Sequence, residues 1–199
     1  MKKLLIVLAA TTMLTSGVLA ESLGEKTGVN SVLGVAPSTA DFVKEAATSD
    51  MLEIEAAKIA QQKGNDEEKK FAGQMIADHT KTSEEIKGLV TSGQVKAEVP
   101  TALNDSAKSK LDKLRTAKPG DFAAIYDPMQ VSAHQDAVSL FERYAKGGDN
   151  KMLQAWAEKT LPTLKHHLVM ATKVNEDRRV RAQTVGQGKA QPTGKGPER

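Results

Sequence analysis

The sequence predicts an all-α protein: a ferritin-like four-helix bundle with one long crossover that carries a short extra helix. Three observations predict it. Apolar residues recur every three or four positions over four long stretches, runs of alternating β-branched residues are missing, and glycine gathers at the joints. An up-and-down bundle with a fifth helix packed outside is the alternative architecture.

The elements follow in chain order. Ser38-Thr39-Ala40-Asp41 supplies capping side chains, and the stretch from Phe42 to Lys63 is rich in the strong helix formers Ala, Glu, Lys, Met and Leu. Gly64-Asn65-Asp66 ends that helix and caps a second over 66–91, with Phe71, Met75, His79, Ile86 and Leu89 at helical spacing. Ser92-Gly93 breaks it. Val99-Pro100-Thr101 marks a restart, and Leu103, Ala107, Leu111 and Leu114 pattern a short amphipathic helix ending near Ala117. A third long helix is expected over 121–146, bent at Pro128, since proline removes a ladder donor and crowds the preceding turn. Gly147 to Asn150 makes a tight turn. The fourth long helix places Leu153, Ala157, Thr160, Leu164, His167, Ala171 and Val174 on one face, with a second kink expected at Pro162.

Outside the bundle, expected over 38–177, three segments carry other signals. Residues 1–20 read as a cleavable secretory signal peptide: Lys2 and Lys3 precede an apolar run from Leu4, and Val18-Leu19-Ala20 places small residues before a cut at Glu21. The run is shorter than the roughly 20 residues that cross a bilayer, so no membrane span is expected after cleavage. Residues 21–37 read as a flexible leader and 178–199 as a basic disordered tail. The expected compartment is the periplasm, with outer-membrane association the alternative.

Charge must be read by region. The whole chain carries +3, but residues 21–177 hold 20 basic and 24 acidic side chains, while the tail holds six basic against Glu198 alone. The alkaline balance therefore belongs to the tail. It gives no warrant for a nucleic-acid partner, because a basic face interleaved with aromatics is missing. Electrostatic contact of the tail with the cell envelope is the partner it suggests, and an apolar outer face would allow a homo-oligomer. Cysteine is absent, which removes disulfides, thiolate ligands and cysteine nucleophiles. No nucleophile elbow or glycine-rich phosphate loop occurs, so enzyme activity has no positive support and no catalytic residue is assigned.

Four histidines carry what chemistry the sequence offers: His79, His134, His166 and His167. Three lie on or beside apolar stripes of three different helices, the arrangement that a metal site inside a bundle needs. The first helix adds one carboxylate to its stripe of Phe42, Ala46, Ser49, Ala56 and Ala60, namely Glu53. Glu53, His79, His134 and His167 therefore form the candidate metal set, for zinc, copper, nickel or iron. Glu-x-x-His, the motif of di-iron carboxylate bundles, occurs nowhere. Counting from the turns sets Glu53 and His79 about one helical turn out of level, and His134 and His167 roughly 7 to 8 Å out of level, at 1.5 Å per residue. The sequence favours a non-catalytic binding or envelope-maintenance module whose buried histidines are hydrogen-bonded to a neighbouring carboxylate or to a tyrosine such as Tyr126 or Tyr144; a metal-binding or redox role for these four residues is the alternative. The scattered methionines read as core filling and Trp156 as a core anchor at one end of the bundle.

Asp41-Phe42-Val43, Ser49 to Ile54, Phe71-Ala72 and Met75 to Lys81, then His134 to Ala137, Leu140-Phe141, Leu161 to Leu164 and His167-Leu168, together resemble the bacterial domain of unknown function 4142. The resemblance spans Asp41 to Val174. It implies a ferritin-like bundle in exported proteins, brings no activity with it, and maps a histidine pattern onto His79, His134 and His167, with His166 extra.

Overall fold

The structure is a computed structural model and describes residues 33–188. The expected signal peptide, most of the leader and the last eleven residues of the tail lie outside the described residues. The described residues form five helices and no strand: α1 (Thr39–Lys63), α2 (Asp66–Thr91), α3 (Asp105–Thr116), α4 (Phe122–Gly147) and α5 (Lys151–Gly188).

The helix starts are fixed by the side chains that the sequence places there. Ser38 accepts from the Asp41 backbone N–H at 3.1 Å. Asn65 accepts from the N–H groups of Glu67 and Glu68, both at 3.0 Å, while the Glu68 carboxylate accepts from the Asn65 N–H at 2.8 Å. That reciprocal capping box satisfies donors with no partner inside the helix. Asn104 and Asn150 do the same for α3 and α5, through the N–H groups of Ala107 and Leu153.

α1 packs chiefly on α2 and α4 on α5; the two hairpins meet through α1 with α4 and α2 with α5, and α3 lies against α1 and α4. Short turns make antiparallel neighbours of each pair, and the long connection carries the chain across. Two apolar clusters fill the interior. One gathers Leu52, Ala56, Phe71, Met75, Leu111, Leu114 and Tyr126; the other gathers Phe42, Val43, Ile86, Phe141, Tyr144, Leu153 and Trp156. Trp156 is the expected anchor: it lies 5.4 Å from the Phe141 ring and donates its indole N–H to Glu85 at 2.8 Å.

Helices α4 and α5 are each a single element containing the proline expected inside it, Pro128 and Pro162. Three details differ from the sequence reading. Gly73 and Gly88 lie inside α2 rather than at joints. Met152 is half exposed, although Met75 is fully buried. The fourth long helix does not stop near residue 177 but continues to Gly188, so the first part of the expected disordered tail is helical. Two ion pairs hold that extension: Arg178 Nε to Asp127 at 3.2 Å and Arg181 to Glu67 at 2.8 Å.

The α4–α5 turn has no room for a side chain at Gly148. A Cβ there would stand 2.6 Å from the Tyr144 ring and 2.7 Å from the Tyr144 carbonyl oxygen. Tyr144 cannot yield, since it stacks on Phe42 at 4.0 Å and its hydroxyl bonds Thr39 at 2.6 Å. Gly148→Ala should therefore destabilise the fold by about 1–3 kcal/mol in denaturant unfolding. An unchanged midpoint would show that the turn relaxes freely.

Candidate metal centre

Between the two apolar clusters lies a polar layer. His79 stands on α2 between Met75 and Ile86, His134 on α4 between Tyr126 and Leu140, and His167 on α5 between Leu164 and Ala171. All three are buried, at 2 %, 1 % and 1 % exposure. Their rings approach edge to face or tilted, with centroids 5.7 Å (His79–His134), 5.4 Å (His79–His167) and 5.5 Å (His134–His167) apart.

Each ring is oriented by a hydrogen bond from one nitrogen. His79 Nδ1 bonds Asp50 Oδ1 at 2.8 Å, and Thr82 donates to the other Asp50 oxygen at 2.9 Å. His167 Nε2 bonds Asp78 Oδ2 at 2.8 Å, an oxygen that also accepts from Gln74 at 2.7 Å. His134 Nδ1 bonds the Gln130 carbonyl at 2.8 Å, one turn back on α4. Carbonyl and carboxylate oxygens only accept, so in all three bonds the ring nitrogen donates. The lone pairs then fall on His79 Nε2, His134 Nε2 and His167 Nδ1. These three atoms are buried and have no hydrogen-bond partner, and each of the three histidines offers a ring nitrogen within 4.8 Å of one from the other two.

Glu53 stands beside the set without being a member of it. Its carboxylate is 1 % exposed, neither oxygen has a hydrogen-bond partner, and its charge acts on both His79 and His134. Burial pushes the His167 imidazole down to about 4 despite the Asp78 carboxylate, and burial likewise lowers His134. Burial also opposes a charge on His79, but the bond to Asp50 and the charges of Asp50, Glu53 and Asp78 together raise it above the usual imidazole value. At neutral pH the site thus offers at least two neutral imidazoles with free lone pairs, facing a buried carboxylate.

Of the expected set, His79, His134 and His167 are brought together and Glu53 is buried beside them without joining the converging ligand atoms, while His166 is exposed. The axial mismatches counted along straight, level helices do not keep the rings apart. His79, His134 and His167 meet because helices tilt in packing and a histidine side chain reaches well beyond its own Cα. Of the expected hydrogen-bond partners, carboxylates are found, Asp50 for His79 and Asp78 for His167, and the tyrosines are not. Tyr144 bonds Thr39, and the Tyr126 hydroxyl has no partner. Asp50 and Asp78, which orient two of the rings, were missed. Asp50 precedes Glu53 by three positions and so shares its face, which is the signal that could have found it. Asp78 is next to His79 and reaches across to the other helix pair, which no spacing rule on one helix reveals.

The fold and this layer define an all-helical protein with a buried, pre-oriented histidine cluster. The chain belongs to the family described as domain of unknown function (DUF4142), whose sequence model matches residues 24–174 and so spans every residue of the cluster. No curated protein and no solved structure matches the chain.

A depressed imidazole carries a pH signature. Between about 4 and the ordinary 6.5 the unfolded chain binds a proton at His167 that the folded chain does not, so this group's contribution to stability is present above 6.5 and is lost as pH falls. In the presence of a chelator, the melting temperature of the wild type relative to His167→Gln should therefore fall on acidification from neutral pH and level off below about pH 4. A pH-independent difference would show that His167 is not held neutral.

Proposed function

We propose that the protein is an exported, ferritin-like bundle that binds one transition-metal ion through His79 Nε2, His134 Nε2 and His167 Nδ1, with Glu53 as the neighbouring carboxylate. The observation that carries this reading is the convergence of three buried nitrogen lone pairs, from three helices, that nothing in the protein satisfies.

A buried polar atom left without a partner costs about 1–3 kcal/mol, so three of them in one place are retained against stability unless a ligand fills the gap. Neutral imidazole is a ligand for zinc, copper, nickel and iron, and a three-histidine set leaves a fourth position open. Asp50, Asp78 and the Gln130 carbonyl supply the hydrogen bonds that fix tautomer and ring orientation around bound metals. An ion at the centre of a triangle with 4.8 Å edges would be about 2.8 Å from each corner, so the rings close in by up to ~0.7 Å to reach a Zn–N distance near 2.1 Å. A shift of that size lies within ordinary side-chain adjustment. The buried carboxylate of Glu53 offsets the charge of a divalent ion and can fill the open position.

The ferritin-like connectivity rests on the pairing of α1 with α2 and α4 with α5 across a long connection that bears α3. Export rests on Lys2, Lys3 and the apolar run that follows them. Among the described residues no helix is long and apolar enough to cross a membrane. A cysteine-free histidine site fits the periplasm, where thiols oxidise. No catalytic step is assigned: the site binds, and its role is to hold or buffer the ion.

Chelator-treated mature protein should take up one equivalent of zinc, copper or nickel in titration calorimetry checked by elemental analysis. His79→Ala, His134→Ala and His167→Ala should each weaken uptake severely, while Asp78→Ala, which removes an orienting bond but no metal ligand, should cost 10–100-fold in affinity. Less than a tenth of an equivalent of every metal, unchanged by these substitutions, would sink the proposal. Because His79 is raised and must lose its proton to bind, affinity should also weaken as pH falls below neutral. Export is checked separately: the protein recovered from cells should begin at Glu21.

A further inference from the structure

A second buried polar centre lies toward the α2 start. Asp127 and Glu68 are each 1 % exposed, both oxygens of Asp127 and Oε1 of Glu68 lack a hydrogen-bond partner, and the Tyr126 hydroxyl, fully buried, lacks one too. The cation in contact is Arg178, whose Nε stands 3.2 Å from Asp127 Oδ2. Arg181 acts from farther along α5 but is itself bonded to Glu67 at 2.8 Å. Two carboxylates against one guanidinium leave an excess negative charge in a low-dielectric interior. Ionised carboxylates are acceptors only, so their oxygens cannot satisfy one another unless one takes a proton.

Tyr126, Gln130 and His134 lie one turn apart along one face of α4, and each carries a buried polar atom with no partner. That face runs from the acid pair to the histidine layer. The Tyr126 phenol registers both ends, being pushed up by burial and by the charges of Glu53, Asp127 and Glu68.

The geometry points to Glu68 and Asp127, with Tyr126 beside them, as a proton-holding site separate from the histidine cluster, which holds one proton at mildly acidic pH and releases it when a cation occupies that cluster. The release step rests on the metal-binding reading above; the storage of the proton does not. Burial and the Glu68 charge hold the Asp127 carboxyl up to about 7, against the opposing pull of Arg178 and Arg181. A dication arriving near Glu53 adds positive charge along the Tyr126 track and lowers the affinity of the pair for its proton. No redox partner or co-reactant is needed; the proton leaves the carboxyl oxygen for solvent.

Infrared difference spectroscopy of the full mature protein decides it. The wild type should show the C=O stretch of a protonated carboxylic acid that disappears with a midpoint near pH 7. Asp127→Asn should abolish that band, Glu68→Gln should move its midpoint to more acidic pH, and Arg178→Gln should move it to more alkaline pH. A wild type with no acid band below pH 7, or a band untouched by Asp127→Asn, overturns the proposal. Adding one equivalent of zinc should shift the wild-type midpoint to more acidic pH. Zinc bound with no shift overturns the release step, whereas a failure to bind zinc at all counts against the metal reading and leaves the acid band to decide storage.

Discussion

The constraint on which the rest of the structure depends is the polar layer that cuts the hydrophobic interior in two. A bundle of this length would ordinarily run one apolar seam from end to end. Here the seam is interrupted by His79, His134, His167 and Glu53, with Asp50 packed behind them, and the apolar side chains divide into a cluster on each side. Burying such groups lowers stability unless each is paired, so the surrounding sequence is arranged to pair them: Asp50 with His79, Asp78 with His167, and the backbone of Gln130 with His134. The pairing is complete on the outer nitrogens and missing on the inner ones. That asymmetry is the basis of the metal-binding reading proposed above.

The two ends of the bundle then do different work. Around Phe42, Tyr144 and Trp156 the packing is aromatic, with stacked and edge-on rings and a turn at Gly148 too tight for a side chain. This end fixes how α1 meets α4 and α5, and so the angular placement of the three rings deeper in the bundle. The other end is charged in its interior. The extension of α5 past residue 177 brings Arg178 onto Asp127, so a segment beyond the family match at Val174 reaches back to a buried acid on α4. Stability at that end rests on buried electrostatics that respond to pH, whereas the aromatic end rests chiefly on ring packing, with Asp149, its carboxyl lowered by the Thr39 hydrogen bond, as its pH-linked group.

Much of this was legible in the sequence, and the limit has a physical cause. Period and capping chemistry are local, so α2 was placed at 66–91 and the turn at Gly147 to Asn150 was recognised from single residues such as Asn65 and Gly148. The three histidines could be named because each lies on its own helix's apolar face, a property of one helix at a time. Their convergence is a property of three helices at once. Counting along straight helices put His134 and His167 out of level, although the rings stand 5.5 Å apart. Asp78 could not be found at all, since its value lies in crossing to α5. Residues 178–188 escape the sequence reading for the same reason: their composition reads as solvated, while Arg178 and Arg181 pair with Asp127 and Glu67, distant in sequence.

The distribution of charge ties these observations together. A bare histidine cluster needs no carboxylate, but this interior buries Asp50, Glu53, Glu68 and Asp127, and the cation paired with them is an arginine at the bundle's end. An interior with more buried acids than bases favours whatever supplies positive charge, whether a proton or a metal ion. The two compete for the same field. A proton is the lighter occupant and is available everywhere; a divalent ion brings more charge and satisfies three lone pairs that a proton cannot satisfy together. On the metal-binding reading proposed above, the excess of acids sets the direction of exchange: metal in, protons out, most strongly where pH is high enough to leave the imidazoles unprotonated.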